Sequence, residues 1–439
     1  MKYFINNKIV KLLCLSVITA VTSCTTDENC VYEQEEDSGV NCVPFQDNTE
    51  RAGWTVVTNY SALDTDPNGA IYNTSNNASA PLGDDWGVAL NTPTETLHPT
   101  NWTGRDIGNI FGTAIDKDEN IYLASSGIYD NTVFPSPTAN AQAGRVYKCV
   151  PPTYTATTLF DLTNTGGIEN GTGNIAYDKL NDQLFTSNLE DGKIYRYNTV
   201  GNYLGEYDPW AADTGTAGIV AQGEQVWGVG VNYEGNVAKV YFARITLNNA
   251  TREMYSVTLN ADGSFPSSGA EILEYSAIPG TQLKISDISF SSNKQEMLIA
   301  ERGEPHVAKV MSYTKTGPSW SFTFRYFVGG FSGENSAGGV DFAYKEINGD
   351  VSAECDQFFW ASGNYLQARN LPSPVSDRVY GLEGIAYTGN NSVSDPFGTA
   401  NQDTDIFIDL NGAYTWEVKG SIGDVEVFDA NDCFDLCDF

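Results

Sequence analysis

Histidine is almost absent from this chain: His98 and His306 are the only two in 439 residues. Neither stands beside a recognisable nucleophile motif, and Gly-x-Ser-x-Gly does not occur. A Ser–His or Cys–His mechanism therefore has little support. Basic residues are scarce too, 24 Lys and Arg against 56 Asp and Glu, for a formal net charge of −32. A body this acidic repels phosphate backbones, and nucleic-acid binders carry a basic footprint, so nucleic acid is excluded as a partner. No apolar run reaches the roughly 20 residues that a membrane-spanning helix needs. Long stripes of 3.6-residue period are hard to find, which argues against a helical architecture.

What is present begins at the N-terminus. Lys2, Lys8 and Lys11 lead into a short apolar stretch, Leu12 to Val21. It is too short to cross a bilayer and suits the core of a signal peptide. The string Val21-Thr22-Ser23-Cys24 resembles the bacterial lipobox: an aliphatic residue, two small ones, then Cys. That resemblance implies that residues 1–23 are a lipoprotein signal peptide and that the Cys24 thiol takes the lipid. Two or three acyl chains, palmitate among them, would anchor the chain durably, whereas one alone is marginal. Residues 24–50 have few apolar side chains and carry Asp27, Glu28, Glu33, Glu35, Glu36 and Asp37. They read as an extended acidic tether. Acid placed just after the lipidated Cys resembles the surface-export signal of Bacteroidota lipoproteins. The expected location is the outer membrane, lipid-anchored and exposed at the cell surface, with its periplasmic face as the alternative.

Eight cysteines occur. Cys14 falls in the signal and Cys24 takes lipid, which leaves Cys30, Cys42, Cys149, Cys355, Cys433 and Cys437. An even number in an exported chain favours disulfides over metal or redox chemistry, with the pairing left open. A zinc site at Cys433-x-x-x-Cys437, in the tail 431–439, lacks a nearby His.

Residues 51–430 carry the body. Short β-branched and aromatic runs such as Ile121-Tyr-Leu-Ala124, Ile194-Tyr-Arg-Tyr197 and Val240-Tyr-Phe-Ala243 alternate with turn residues. They predict an all-β protein of many short antiparallel strands. One element recurs every few tens of residues: Gly112-Thr-Ala-Ile-Asp116, Asn174-Ile-Ala-Tyr-Asp178, Asp287-Ile-Ser-Phe-Ser291, Asp341-Phe-Ala-Tyr-Lys345 and Gly384-Ile-Ala-Tyr-Thr388, with a degenerate copy near Gln225-Val-Trp-Gly228. Most copies lead into a second strand, for example Gln183-Leu-Phe-Thr-Ser187. Internal repeats of this length signal blades or coils of a repeat architecture. The order resembles the β-propeller of the NHL-repeat and gluconolactonase-like superfamily over about residues 104–390. The best-matching segment is Gly112 to Gly127. The expectation is a single β-propeller of about six four-stranded blades, seven being the alternative. Residues 51–103 and 391–430 would complete the ring, with Asp405–Leu410 and Asp424–Phe428 as closing strands.

The residue before the repeated triplet is Asn174, Asp287 and Asp341 in three copies; in the last copy Gly384 takes that place and Glu383 precedes it. Equivalent positions in a propeller converge on the axis. Three carboxylates and an amide oxygen are hard ligands of the kind Ca²⁺ or Mg²⁺ prefers. The family resemblance implies a divalent metal on the axis, and Asn174, Asp287, Asp341 and Glu383 are its candidate ligands. The competing reading is that these side chains bond blade edges to one another. Asp116-x-Asp118-x-Asn120 begins like an EF-hand loop but lacks its Gly and Glu, and it reads as a hairpin turn. Two functions fit. The favoured one is a non-enzymatic binding or scaffold module for an outer-membrane or extracellular protein, a glycan or another ligand. The other is a metal-dependent hydrolase of the lactonase or phosphoesterase kind, in which the cation polarises a carbonyl or phosphoryl oxygen.

Overall fold

A strand whose neighbours cover both of its faces needs no polar side, and that is how most strands of this chain are built. In the computed structural model the described residues are 51–60, 67–74, 96–127, 142–162, 171–210, 224–245, 251–276, 278, 283–303, 307–329, 334–344, 355–366, 379–387, 404–408 and 421–428. Cys24, Cys30, Cys42, Cys433, Cys437 and His306 lie outside them. The described residues form six four-stranded antiparallel sheets.

Blade 1 takes β1 (Thr55–Tyr60), β2 (Gly69–Tyr72) and β3 (Thr96–Leu97) from one end of the chain and β24 (Ser421–Val427) from the other, in the order β24-β1-β2-β3. Blade 2 is β4 (Ile110–Ile115), β5 (Ile121–Ser125), β6 (Arg145–Val150) and β7 (Thr155–Asp161). Blade 3 is β8 (Thr172–Asp178), β9 (Gln183–Asn188), β10 (Ile194–Asn198) and β11 (Tyr203–Tyr207). Blade 4 is β12 (Val229–Glu234), β13 (Val237–Ile245), β14 (Arg252–Thr258) and β15 (Ile272–Ser276). Blade 5 is β16 (Lys284–Phe290), β17 (Glu296–Arg302), β18 (Val310–Thr316) and β19 (Ser319–Tyr326). Blade 6 is β20 (Ser336–Tyr344), β21 (Cys355–Leu366), β22 (Val379–Ala386) and β23 (Thr404–Ile408). The inner strands touch in the sequence β4, β8, β12, β16, β20, β24 and back to β4, so the ring is closed. The protein is a six-bladed β-propeller with almost no helix, a single turn at Gly104–Ile107 being the helix described.

Six parts of the core lie one between each pair of adjacent blades. Leu184 on β9 packs toward blade 2 with Tyr122 and Val146, while its neighbour Phe185 packs toward blade 4 with Val229 and Val240. Successive side chains of a strand point to opposite faces, and here both faces are covered. Burying a large apolar side chain contributes about 1.5–3 kcal/mol, so each inter-blade seam is held by many such terms. Blade 1 is closed by the pairing of Thr55 with Val427 and of Tyr60 with Ser421.

Two expectations are corrected. Gly384-Ile-Ala-Tyr387 is not an inner strand: Gly384 to Ala386 form the end of β22, the third strand of blade 6. Asp405–Leu410 does not close the ring either; β23 is the outer strand of blade 6, and β24 alone closes blade 1. Cys149 is also removed from the disulfide candidates. It is a free, fully buried thiol packed with Trp102, Ile121 and Tyr147. Cys355 begins β21.

Candidate functional site

The six inner strands meet at a repeated close approach. A glycine stands at the contact in five of them, Gly112, Gly173, Gly228, Gly339 and Gly423, and Ser286 in the sixth. A Cβ on Gly112 would lie 2.7 Å from Asn174 Oδ1, and one on Gly173 only 2.5 Å from the Trp227 carbonyl oxygen. The residue after each contact is Thr113, Asn174, Val229, Asp287, Val340 and Asp424.

Three of these polar side chains come together on the axis. Asn174 Nδ2 donates to Asp287 Oδ1 at 2.7 Å. Asp287 Oδ1 also accepts from the N–H of Ile288 at 2.8 Å, and its Oδ2 accepts from the N–H of Val340 on blade 6 at 2.7 Å. Asp424 lies against Asp287, and its Oδ2 accepts from the N–H of Thr113 on blade 2 at 3.1 Å. Asn174 and Asp424 are each 1 % exposed and Asp287 7 %. Burial pushes both carboxyls up, Asp287 to about 6 and Asp424 well above the usual carboxylate range. The removal of water from the charged form dominates in both.

Asp341 performs the same task one residue out of step. Its Oδ2 accepts from the N–H of Val427 at 2.8 Å and its Oδ1 from Ser289 Oγ at 2.5 Å. Val340, not Asp341, occupies the place equivalent to Asp287: it follows the contact residue Gly339 as Asp287 follows Ser286, and it pairs with Ala361 as Asp287 pairs with Ala300. Glu383 is elsewhere. It sits on β22 opposite Ala361 and accepts a hydrogen bond from the N–H of Gly329. The structure therefore brings Asn174 and Asp287 into contact and places Asp341 on the wall of the same cavity, but it does not bring Glu383 to them. Among the described residues no group of three His, Cys, Asp or Glu side chains is arranged to hold a metal ion. Asp424 and Thr113 belong to the axis and were missed. The signal available for them was the recurring Gly-polar pair, Gly112-Thr113, Gly173-Asn174 and Gly423-Asp424.

A cavity of about 110 Å³ opens beside this cluster. All six inner strands line it, with Ile115, Ala176, Asn232, Asp287, Asp341 and Glu426 among its walls. This is well below the 300–1,000 Å³ typical of small-molecule pockets. Toward the start of the inner strands, Tyr60, Phe111, Leu189 and Trp227 cluster. Arg302 lies over the Tyr60 and Phe111 rings at 4.9 and 5.2 Å and donates to the carbonyl of Ile422 at 2.7 Å. Aromatic side chains and a buried guanidinium thus fill that part of the axis.

The Asp116 turn is a hairpin turn, as its sequence suggests. Asp116 accepts from the N–H groups of Asp118 and Asn120 and from the Tyr122 hydroxyl, at 2.7–2.9 Å.

The sequence matches no protein-family model and no curated protein. Solved structures do resemble the chain. A chain of a nidogen/laminin complex is 10% identical with a TM-score of 0.43, over 85% of this chain and 97% of that one. A putative 6-phosphogluconolactonase from Bacteroides fragilis is 11% identical with a TM-score of 0.41, over 88% and 100%. A gluconolactonase from Xanthomonas campestris is 11% identical with a TM-score of 0.39, over 75% and 89%. The class defined here, a six-bladed β-propeller, rests on the strand pairing itself.

Proposed function

We propose that this chain is a cell-envelope lipoprotein, anchored through Cys24, whose propeller is a binding or scaffold module that meets its partner on the outer strands. The observation that carries this reading is a division of labour. On the axis, Asp287, Asp341 and Asp424 each commit an oxygen to a main-chain N–H of another blade, which is a joining role. On the rim, six of the eight exposed large apolar side chains among the described residues lie on or beside the outer strands of blades 3 to 5: Val200, Tyr203, Leu204, Ile272, Leu273 and Phe322. These strands are continuous in space. Tyr207 on β11 donates to Glu271 beside β15, and Tyr275 on β15 meets Tyr313, which meets Phe322 on β19. Exposed apolar side chains gathered on neighbouring outer strands support an interaction surface there.

The test compares three forms in native membranes. Cys24→Ser should release the protein from the membrane fraction. Wild type and Asp341→Asn should retain the same co-purifying partner, while the combined Tyr203→Ser, Leu273→Ser and Phe322→Ser form should lose it and keep its fold by circular dichroism. Lactone or phosphoester hydrolysis by the purified wild type, abolished in Asp287→Asn, would overturn the reading in favour of an axial enzyme.

A further inference from the structure

We propose that the outer strands of blades 3 and 4 receive a basic protein segment, one that carries Lys or Arg beside apolar side chains, and hold it by side-chain contact and not by strand addition. The proposal rests on the reading of the outer strands as the interaction face and names the chemistry of the partner.

The chain has no Lys or Arg between Arg196 and Lys239, and none between Arg252 and Lys284. Those two stretches contain β11 and β15. The charged residues on these strands, and next to them in the chain, are therefore all acidic: Glu206, Asp208, Glu271 and Glu274. The bases that reach them come from other strands and are already matched. Lys193 pairs with Glu206 at 2.6 Å. Lys239 lies 3.9 Å from Glu274 and bonds Glu234 at 2.9 Å. Arg244 pairs with Glu253 at 2.9 Å, and Arg196 donates to Gln183 Oε1. Asp208 accepts from the N–H of Trp210 at 3.2 Å and Glu271 from the Tyr207 hydroxyl. Neutral donors leave both of those charges uncancelled.

The same strands present the apolar side chains. Tyr203 and Leu204 on β11 are 50 and 40 % exposed, and Ile272 and Leu273 on β15 are each 48 % exposed. Interfaces join an apolar centre to a polar rim. A rim of one sign selects a partner of the other. The net charge of −32 acts in the same direction at longer range, drawing in a basic partner and repelling an acidic one.

The mode of contact follows from the strand ladder. In each of blades 2 to 5 the outer strand carries one extra residue at the same place. Leu159, Leu204, Glu274 and Thr323 each stand between two paired residues, opposite the steps that end at Tyr147, Tyr197, Tyr255 and Tyr313. A bulge of this kind bends the strand, interrupts its row of pairing groups and protects a sheet edge from further strands. In blades 3 and 4 the extra residues are Leu204 and Glu274, so the protection against strand addition lies within the apolar and acidic surface itself.

The probes are two labelled peptides, one of Leu and Lys and one of Leu and Glu, titrated against the full-length protein by fluorescence anisotropy. The Leu–Lys peptide should bind and the Leu–Glu peptide should not. Binding should weaken on the order of tenfold from ~0.01 to ~0.15 M salt, as the screening length falls from about 30 to about 8 Å. Asp208→Lys and Glu271→Lys should each weaken it several-fold. Asp118→Lys, the same change of charge on the exposed turn of blade 2, should not. Circular dichroism checks the fold of each form, and Asp208→Asn and Glu271→Gln replace any lysine variant that does not fold. Equal weakening by Asp118→Lys would overturn the proposal, since the attraction would then belong to the whole body. Charge variants that bind like wild type, beside an Ile272→Ser, Leu273→Ser form that does not, would overturn the basic partner and leave the outer strands as an apolar interaction face. That face itself falls by a different result, retention of the native partner by the Tyr203→Ser, Leu273→Ser, Phe322→Ser form. A carbonyl-labelled Leu–Lys peptide whose infrared band moves on binding to that of paired strands would overturn side-chain docking.

Discussion

A buried carboxylate and a buried thiol behave differently in this protein, and their neighbours say why. Asp116, 6 % exposed, is surrounded by N–H and O–H donors, so it fixes a turn. Cys149 is enclosed by apolar side chains, and burial pushes its thiol up. Reactivity depends on the thiolate. Cys149 should therefore escape alkylation in the native protein and react fully in denaturant; peptide mapping by mass spectrometry reads the difference, and native labelling at Cys149 would contradict the packing. At this scale the sequence was partly legible. Asn174 and Asp287 could be found from the repeated apolar-Ala/Ser-aromatic triplet. Asp341 was found one place out, because in β20 Val340 stands between the contact glycine Gly339 and the triplet's leading Asp, where nothing separates Ser286 from Asp287. Glu383 was misplaced because Gly-Ile-Ala-Tyr recurs on a third strand, where a β-branched and aromatic run serves equally well. Asp424 was hidden in a strand, Ser421–Val427, that lacks the triplet.

The blade-to-blade contact is the unit that repeats most faithfully among the elements. A glycine lets two inner strands approach, and a hydroxyl from a second strand bonds the carbonyl beside it. Thr58 reaches the carbonyl of Phe111, Ser126 that of Thr172, Ser187 that of Trp227 and Ser362 that of Gly423. The glycine is required by space and not by backbone angle. Gly173→Ala would press a methyl against the Trp227 carbonyl and should cost about 1–3 kcal/mol or more, as overpacking does. Ser187→Ala removes the buried bond to the Trp227 carbonyl and the one that the hydroxyl accepts from the Asn174 N–H, and should cost about 1–3 kcal/mol. Urea denaturation at neutral pH compares them, and a Gly173→Ala protein as stable as wild type would disprove the close approach. Strand positions were readable from their β-branched and aromatic residues. Their faces were not, because Leu184 and Phe185 are both buried and a two-residue alternation of apolar and polar never develops.

In the whole molecule, the ring is what the parts serve. The seams between blades form a closed circuit, and the circuit is completed by β24 on β1. Solenoids lose end repeats one at a time because each repeat contacts only its neighbours; a closed ring has no end from which to fray. Deleting residues 421–428 should therefore abolish cooperative folding of the whole propeller instead of loosening blade 1 alone. Loss of the single thermal transition and of near-ultraviolet circular dichroism would show this, whereas a folded five-bladed remnant would count against it. The six-fold repeat was legible in outline, since inner-strand copies from blades 2, 3, 5 and 6 share one pattern. Blade 1 was legible as the closure of the ring by residues 51–103 and Asp424–Phe428, but not strand by strand, because it carries no clear copy of the repeat.

That split blade also sets a schedule. Thr55 can pair with Val427 only after almost all of the chain has been made. Contacts of such sequence separation are slow to form, since the intervening loop must be closed before they stabilise anything. During synthesis the seams between blades 2 to 6 can begin to assemble, but the circuit has no last link until β24 emerges. The polypeptide is thus kept from its final stability for nearly the whole time it is being made, an interval in which it can still be threaded through a narrow passage.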